Sequence, residues 1–252
     1  MADRPWFDWL SNPSDPHGPL RRLPSPLPGA RLWLIDLDEP LYPRALDGVS
    51  EDEVQRALRL RFERDRQRFL TGRVWLRQLL AHDLGCEPRD LQLVSGAHGK
   101  PALQGPDPSL TFNMSHSGHR ALVALSRDVP VGVDIELHRR MPDARALAHA
   151  HFDAEEVAAW SAQPSSERER AFFRLWTRKE ACLKAWGMGL ALEPARVHVG
   201  LLPQAAAVHP PAPDLGGPLT VASVPLADNA GYEAALSLGS ASWRRDSAPE
   251  NE

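Results

Sequence analysis

The sequence predicts an α+β fold made of two α/β lobes of similar size that meet near residue 128. Three observations carry that expectation. Short apolar runs alternate with period two on both sides of that point, as half-buried strands require. Longer stretches between them repeat apolar residues at helical spacing. The chain has 252 residues, 42% of them hydrophobic and 25% charged, which is enough length and apolar content for a full core.

Taken in order, residues 1–30 read as an irregular lead-in, with prolines clustered from Pro13 to Pro28. The N-terminal lobe spans 31–127. Its first strand is Arg31–Asp36, where Leu32 and Leu34 alternate with Trp33 and Ile35. Glu51 to His82 has helical spacing through Val54, Leu58, Phe62, Phe69, Leu76 and Leu80, and Gly72 marks either a break or a close helix contact. Ala121–Ser126 is a short apolar strand. Pro130 opens the C-terminal lobe, 128–245, and its first strand, Val131–Glu136, starts just after that proline. Asp153 with Glu156, and Ser166 with Glu169, have capping-box spacing, the second before a helix over Glu167–Trp186 that Gly187 and Gly189 end. Weaker strands are expected at Arg196–Val199, Leu219–Val224 and Glu233–Leu238, with a loop from Pro203 to Pro218 around Ala205–Ala207. Residues 246–252 read as a frayed tail.

Composition excludes several classes. No run approaches the roughly 18 apolar residues of a membrane helix. Met1–Leu10 carries Asp3, Arg4 and Asp8 and lacks the apolar stretch of a secretory signal. A formal net charge of −4 argues against a generic nucleic-acid binder. Two cysteines, Cys86 and Cys182, make no disulfide framework, so the expected compartment is the reducing cytoplasm.

Four segments carry chemistry. In Val131–Glu136 the strand alternation sends Val131, Val133 and Ile135 to one face and Gly132, Asp134 and Glu136 to the other. Two carboxylates on one face repel, and need a cation, a proton or water; the alternative is an ordinary solvent-facing strand. In the helix from Trp176 to Lys184, the residues Trp176, Glu180 and Lys184 share a stripe, while Leu175, Cys182, Ala185 and Trp186 suit a core. Glu180 and Lys184 alone could be an exposed i, i+4 pair. Brought near Asp134 and Glu136, Glu180 would complete three hard oxygen ligands for Mg2+ or Mn2+, with positions left for water and substrate phosphates. Phe112–Gly118, with Asn113, Ser115, His116 and Ser117, offers hydrogen bonds to a phosphate; its plainer reading is a polar turn. Ser115 and His116 are not a nucleophile–base pair by adjacency alone, and no G-x-S-x-G elbow is present. Gly96–Pro101 places a flexible Gly99 beside the Lys100 cation, but its spacing is wrong for a Walker A loop.

In order, these segments resemble the 4′-phosphopantetheinyl transferases, in particular the single-chain, pseudo-dimeric branch that activates peptide synthetases. The family pattern of G-K-P, N-x-S-H-S, G-[VI]-D-x-E and W-x-x-K-E-[SA]-x-x-K is met by Gly99–Pro101, Asn113–Ser117, Gly132–Glu136 and Trp176–Lys184. The helix around Phe69–Arg73 is similar as well, and the match runs from about residue 50 to 190. The resemblance implies two lobes related by a pseudo-twofold axis in a monomer, with the site in the cleft. It implies transfer of the phosphopantetheine arm of coenzyme A to a serine of an apo acyl or peptidyl carrier protein, with release of adenosine 3′,5′-bisphosphate. Asp134, Glu136 and Glu180 match the metal-binding acids. Lys100, Ser115, His116, Lys179 and Lys184 match coenzyme A contacts, and the substrate is expected to touch Asp134 and Glu180 too. Arg56 falls where a basic residue meets the 3′-phosphate, with Arg61 or Arg68 as alternatives. Glu180, Lys184 and His116 are the expected catalytic groups, Glu180 as base, directly or through a metal-bound water, and the others adding positive charge. The Arg-rich stretch 56–73 is either the carrier surface or a solvated face. The rivals are another Mg2+-dependent phosphotransferase or phosphatase, and a non-catalytic coenzyme A-binding module.

Overall fold

The computed structural model describes residues 19–41, 43–96, 100–105, 107–226 and 231–240. It is mixed α and β. One antiparallel sheet has the order β1 (Leu20–Leu23), β2 (Ala30–Asp36), β6 (Arg120–Arg127), β5 (Leu110–Ser117). A second has the order β7 (Val131–Leu137), β10 (Tyr232–Gly239), β9 (Leu219–Ser223), β8 (Ala206–Val208). A small hairpin pairs β3 (Gln92–Ser95) with β4 (Pro101–Gln104). The helices are α1 (Glu51–Leu58), α2 (Glu63–Leu84), α3 (Ala144–His151), α4 (Ala154–Ser161) and α5 (Arg168–Trp186).

Strand alternation builds three cores. Trp33 and Ile35 of β2 face α2, where Trp75, Leu76, Leu79 and Leu80 cover them. Leu32 and Leu34 face the other way and meet Val131, Val133 and Ile135 of β7, so the two large sheets pack on each other. The far side of the second sheet is closed by α3, α4 and α5 through Phe152, Trp160, Phe172 and Leu183. The order of layers is thus α2, sheet, sheet, α5.

Several expectations need correction. Residues 19–30 are not wholly irregular: β1 pairs with β2 from Leu20↔Ile35 to Leu23↔Leu32. The helical stretch 51–82 is two helices. The break falls after Leu58, where Phe62 is extended, and not at Gly72. Gly72 instead admits Met114: an added Cβ would lie 2.6 Å from its terminal methyl. The expected Ser166–Glu169 box is absent. The Pro164 carbonyl already accepts from the N–H groups of Glu167 and Arg168, at 2.9 and 3.1 Å. The Asp153–Glu156 box forms as expected, and Gly187 ends α5 at φ 77°. Residues 196–199 are no strand, because Val199 gives its N–H to Glu156 and its carbonyl to Arg178 in place of a neighbouring strand. The alanine run of the 203–218 loop supplies β8. Gly99 and the expected tail at 246–252 lie outside the described residues.

Candidate active site

The site begins with what Gly132 lacks. A Cβ there would lie 2.0 Å from the Ala181 carbonyl oxygen and 2.5 Å from the Ala185 nitrogen. With no side chain in the way, the backbone of α5 lies directly on β7. The next two residues on that face of β7 are Asp134 and Glu136, and α5 brings Glu180 and Lys184 to them. The Lys184 ammonium donates to Asp134 Oδ1 at 2.6 Å and to Ser115 Oγ at 3.0 Å. The Ser115 hydroxyl donates to the same Asp134 oxygen at 2.7 Å.

The N-x-S-x-S pattern proves to be strand, not turn; the turn is confined to Gly118 and His119. Leu110, Phe112 and Met114 pack toward α2, which leaves Asn113, Ser115 and Ser117 for the opposite side. There β5 and β7, edge strands of different sheets, run side by side. Edge N–H groups need partners. Asn113 Oδ1 accepts from Val133 N at 2.8 Å, and Ser117 Oγ accepts from Leu137 N at 3.1 Å while donating to Glu136 Oε2 at 2.8 Å. The motif therefore stitches the two sheets together at the site.

A cavity of about 510 Å3 opens over this seam. Ser115, His116, Asp134 and Glu136 face it from the strands, and Trp176, Glu180 and Lys184 from α5. Arg56 of α1 and Arg68, Phe69 and Arg73 of α2 line it as well. The guanidiniums of Arg56 and Arg73 both lie over the Phe69 ring, 5.5 and 5.4 Å from its centre. Arg68 is paired with Asp38 at 2.6 Å. The helices α1 and α2 therefore bring arginines to the cleft, Arg73 with Glu53 at 3.4 Å, while β7 and α5 bring the acids.

Two of those acids, Glu136 and Glu180, hold their protons more tightly than free carboxyls. Burial raises the Glu136 carboxyl, with the Asp134 charge adding to it. Burial raises Glu180 as well; Lys184 opposes that shift, and Asp134 and Glu136 add to it. Asp134 Oδ2 is buried without a hydrogen-bond partner. Crowded hard oxygens with one orphaned acceptor are a donor set that fits a divalent cation. The three acids are not closed to joint coordination distance, however. Among the described residues, the trio of ligand atoms lying within 4.8 Å of one another belongs to Asp153, Glu156 and His198. Those atoms are already engaged, Asp153 by His198, and Glu156 by Lys179 and Val199 N.

Two expected contacts are not brought to the cleft. Lys179 is 1% exposed on the far side of α5, where its ammonium meets Glu156 at 2.5 Å and the carbonyls of Pro194 and Val197. Burial lowers its proton affinity. On a helix an odd neighbour points elsewhere: residue 179 is about 100° from residue 180. Lys100 does not line the cavity either; its ammonium donates to the carbonyls of Lys184 at 2.6 Å and Val131 at 3.2 Å. Of the three candidate arginines, Arg56 and Arg68 line the cleft, and Arg61 instead lies over Phe62. Sequence reasoning misses Arg73 and Phe69 as site residues, although their i, i+4 spacing on one helix is a readable signal.

Comparison with known proteins decides the family. Residues 130–208 match the 4′-phosphopantetheinyl transferase superfamily, and residues 38–128 match the family described as 4′-phosphopantetheinyl transferase, N-terminal. The 4′-phosphopantetheinyl transferase HetI of Nostoc sp. is 39% identical over 165 residues, 64% of this chain and 69% of HetI. The chain belongs to the 4′-phosphopantetheinyl transferase superfamily. It is a transferase. The 4′-phosphopantetheinyl transferase ffp of Bacillus subtilis is 30% identical over 167 residues, 64% of this chain and 72% of ffp. AcpT of Escherichia coli K12 is 40% identical over 122 residues, 48% of this chain and 58% of AcpT. The two matched stretches of this transferase contain all four motif segments and every expected site residue.

Proposed function

We propose that this cleft transfers the 4′-phosphopantetheine arm of coenzyme A to a serine of an apo acyl or peptidyl carrier protein. The observation that carries the reading is the meeting of Asp134, Glu136, Glu180 and Lys184 with the arginines of α1 and α2, in a cavity large enough for an organic phosphate. The serine oxygen attacks the phosphorus that bears the pantetheine arm. The bond from that phosphorus to the bridging oxygen breaks, and adenosine 3′,5′-bisphosphate leaves.

Each residue has a role in that step. Glu180, whose proton affinity is raised by burial, takes the serine proton. Lys184 and His116 donate to the phosphate oxygens where charge builds up. Ser115 holds Asp134 and Lys184 in register. Arg56, Arg68 and Arg73 face the adenosine end and its 3′-phosphate. Mg2+ or Mn2+ held by Asp134, Glu136 and Glu180 would neutralise the two phosphates of the pyrophosphate. Lys100 and Lys179 hold elements in place without touching substrate.

The whole lining of the cleft comes from one polypeptide, so a monomer suffices. We divide the chain at residue 128 into two lobes, each a four-stranded antiparallel sheet backed by a long helix, and relate them by a pseudo-twofold axis. The described residues contain no helix long and apolar enough to cross a membrane, and both cysteines are free, which suits the reducing cytoplasm.

The test is intact mass of an apo carrier incubated with enzyme, coenzyme A and Mg2+. A gain of one phosphopantetheine, absent when EDTA is included in the incubation, is the expected result. No gain on acyl and peptidyl carriers, with phosphate released instead, would assign the cleft to a phosphatase. Binding of coenzyme A with neither outcome would make it a binding module.

A further inference from the structure

A second cavity, of about 560 Å3, lies between the first half of α5 and the end of the β9–β10 pair, where Glu233 is the cross-strand partner of Glu136. It has an excess of positive charge. Arg170 and Arg174 of α5 both turn to one carboxylate: Arg170 Nε is 2.7 Å and Arg174 Nη2 is 3.4 Å from Glu233 Oε1. Two guanidiniums sharing one carboxylate leave about one net positive charge at the wall.

The same wall has unspent hydrogen-bonding capacity. Arg174 Nε and Ser223 Oγ, both in side chains that line this cavity, are buried without a partner. A buried donor left unpaired is costly, and each such group calls for an explanation. Arg178, one turn further along α5, is different: it spends its donors on the carbonyls of Val199, Pro203 and Gln204. Apart from Gln204 and Tyr232, the rest of the lining is apolar, with Pro26, Pro203, Pro225 and Leu226. The volume is that of a pocket for a small organic molecule, many times what a bare inorganic ion fills.

We propose that this cavity is a second ligand site, taking a small organic anion whose carboxylate or phosphomonoester head meets Arg170, Arg174 and Ser223 and whose apolar body lies on the prolines and Leu226. The head receives charge-assisted hydrogen bonds from the donors that Glu233 leaves unused. The site shares no lining residue with the cleft and does not depend on the transfer reaction.

Calorimetric titration with phenyl phosphate and with benzoate tests this. At least one should bind saturably at one per chain, and the stronger of the two identifies the head group. Phenol lacks the charge and inorganic phosphate lacks the body, so each should bind at least about tenfold more weakly. Arg174→Gln should weaken binding by about tenfold or more. Ser223→Ala and Arg170→Gln, which disturb less of the fold, should each weaken it measurably at an unchanged melting temperature. Lys184→Ala, in the other cavity, should leave binding as it is. Absence of saturable binding by either anion, equal binding of phenol, or binding lost in Lys184→Ala and unaffected by the Arg170, Arg174 and Ser223 changes would overturn the proposal.

Discussion

Asp134 is the residue on which most of the cleft converges. One oxygen accepts from Ser115 and Lys184, and the other is buried with no partner. Asp134→Asn preserves the shape and removes the charge. Transfer to an apo carrier, followed by intact mass, should fall by on the order of 10²-fold or more, while the melting curve stays close to wild type. Transfer at the wild-type rate would remove Asp134 from the chemistry. Lys184→Ala should slow transfer strongly and leave the fold intact; unchanged kinetics would reduce it to a structural partner of Asp134 and Ser115. Lys179 differs from both. Its ammonium and Glu156 form a pair in which each side chain is 1% exposed. Lys179→Met leaves that carboxylate buried without its cation, so stability in urea should drop by about 3–5 kcal/mol. The rate per folded molecule should remain that of wild type, a split that a substrate contact would not give.

At the scale of elements, the packing of α5 on β7 decides the geometry, and Gly132 permits it. Its missing Cβ is the space that the Ala181 carbonyl occupies. Gly132→Ala must push the helix off the strand, with an overpacking cost of about 1–3 kcal/mol or more. The same shift carries Glu180 and Lys184 away from Asp134 and Glu136. Transfer activity should therefore fall further than the loss of stability explains; a variant that is destabilised yet fully active per folded molecule would argue against this coupling. The polar stitching of β5 to β7 works with it. Asn113 and Ser117 give the β7 edge the acceptors that a neighbouring strand would otherwise supply. A stretch that reads as a polar turn is thus a strand whose polar face is pinned between two sheets.

At the scale of the whole molecule, Lys100 ties the two halves. It sits just before β4 and donates to main-chain carbonyls of β7 and α5. Burial lowers its ammonium from 10.5 to about 8. The unfolded chain thus binds this proton more tightly than the folded one between those values, and stability must rise with pH across that window. Urea denaturation at pH 7.5 and pH 10 should move the wild type upward relative to Lys100→Met by roughly 1–2 kcal/mol. An identical pH response in the two proteins would show that Lys100 is not buried as described.

Sequence alone determined what depends on local periodicity. The faces of β2 and β7 follow from alternation, the stripe of Trp176, Glu180 and Lys184 from helical spacing, the start of α4 from the Asp153–Glu156 cap and the end of α5 from Gly187. Those features need only near neighbours along the chain. Tertiary structure decided the rest. It chose which of two lysines on α5, Lys179 or Lys184, faces the acids of the cleft, because that depends on how α5 is rotated against β7. It gave Lys100 main-chain carbonyls for partners, from residues 31 and 84 positions away. It also turned 196–199 from an expected strand into a segment held by side chains, since the Glu156 and Arg178 that satisfy it arrive from other helices. A chain's own pattern states which groups must be buried or paired, and only packing states with whom.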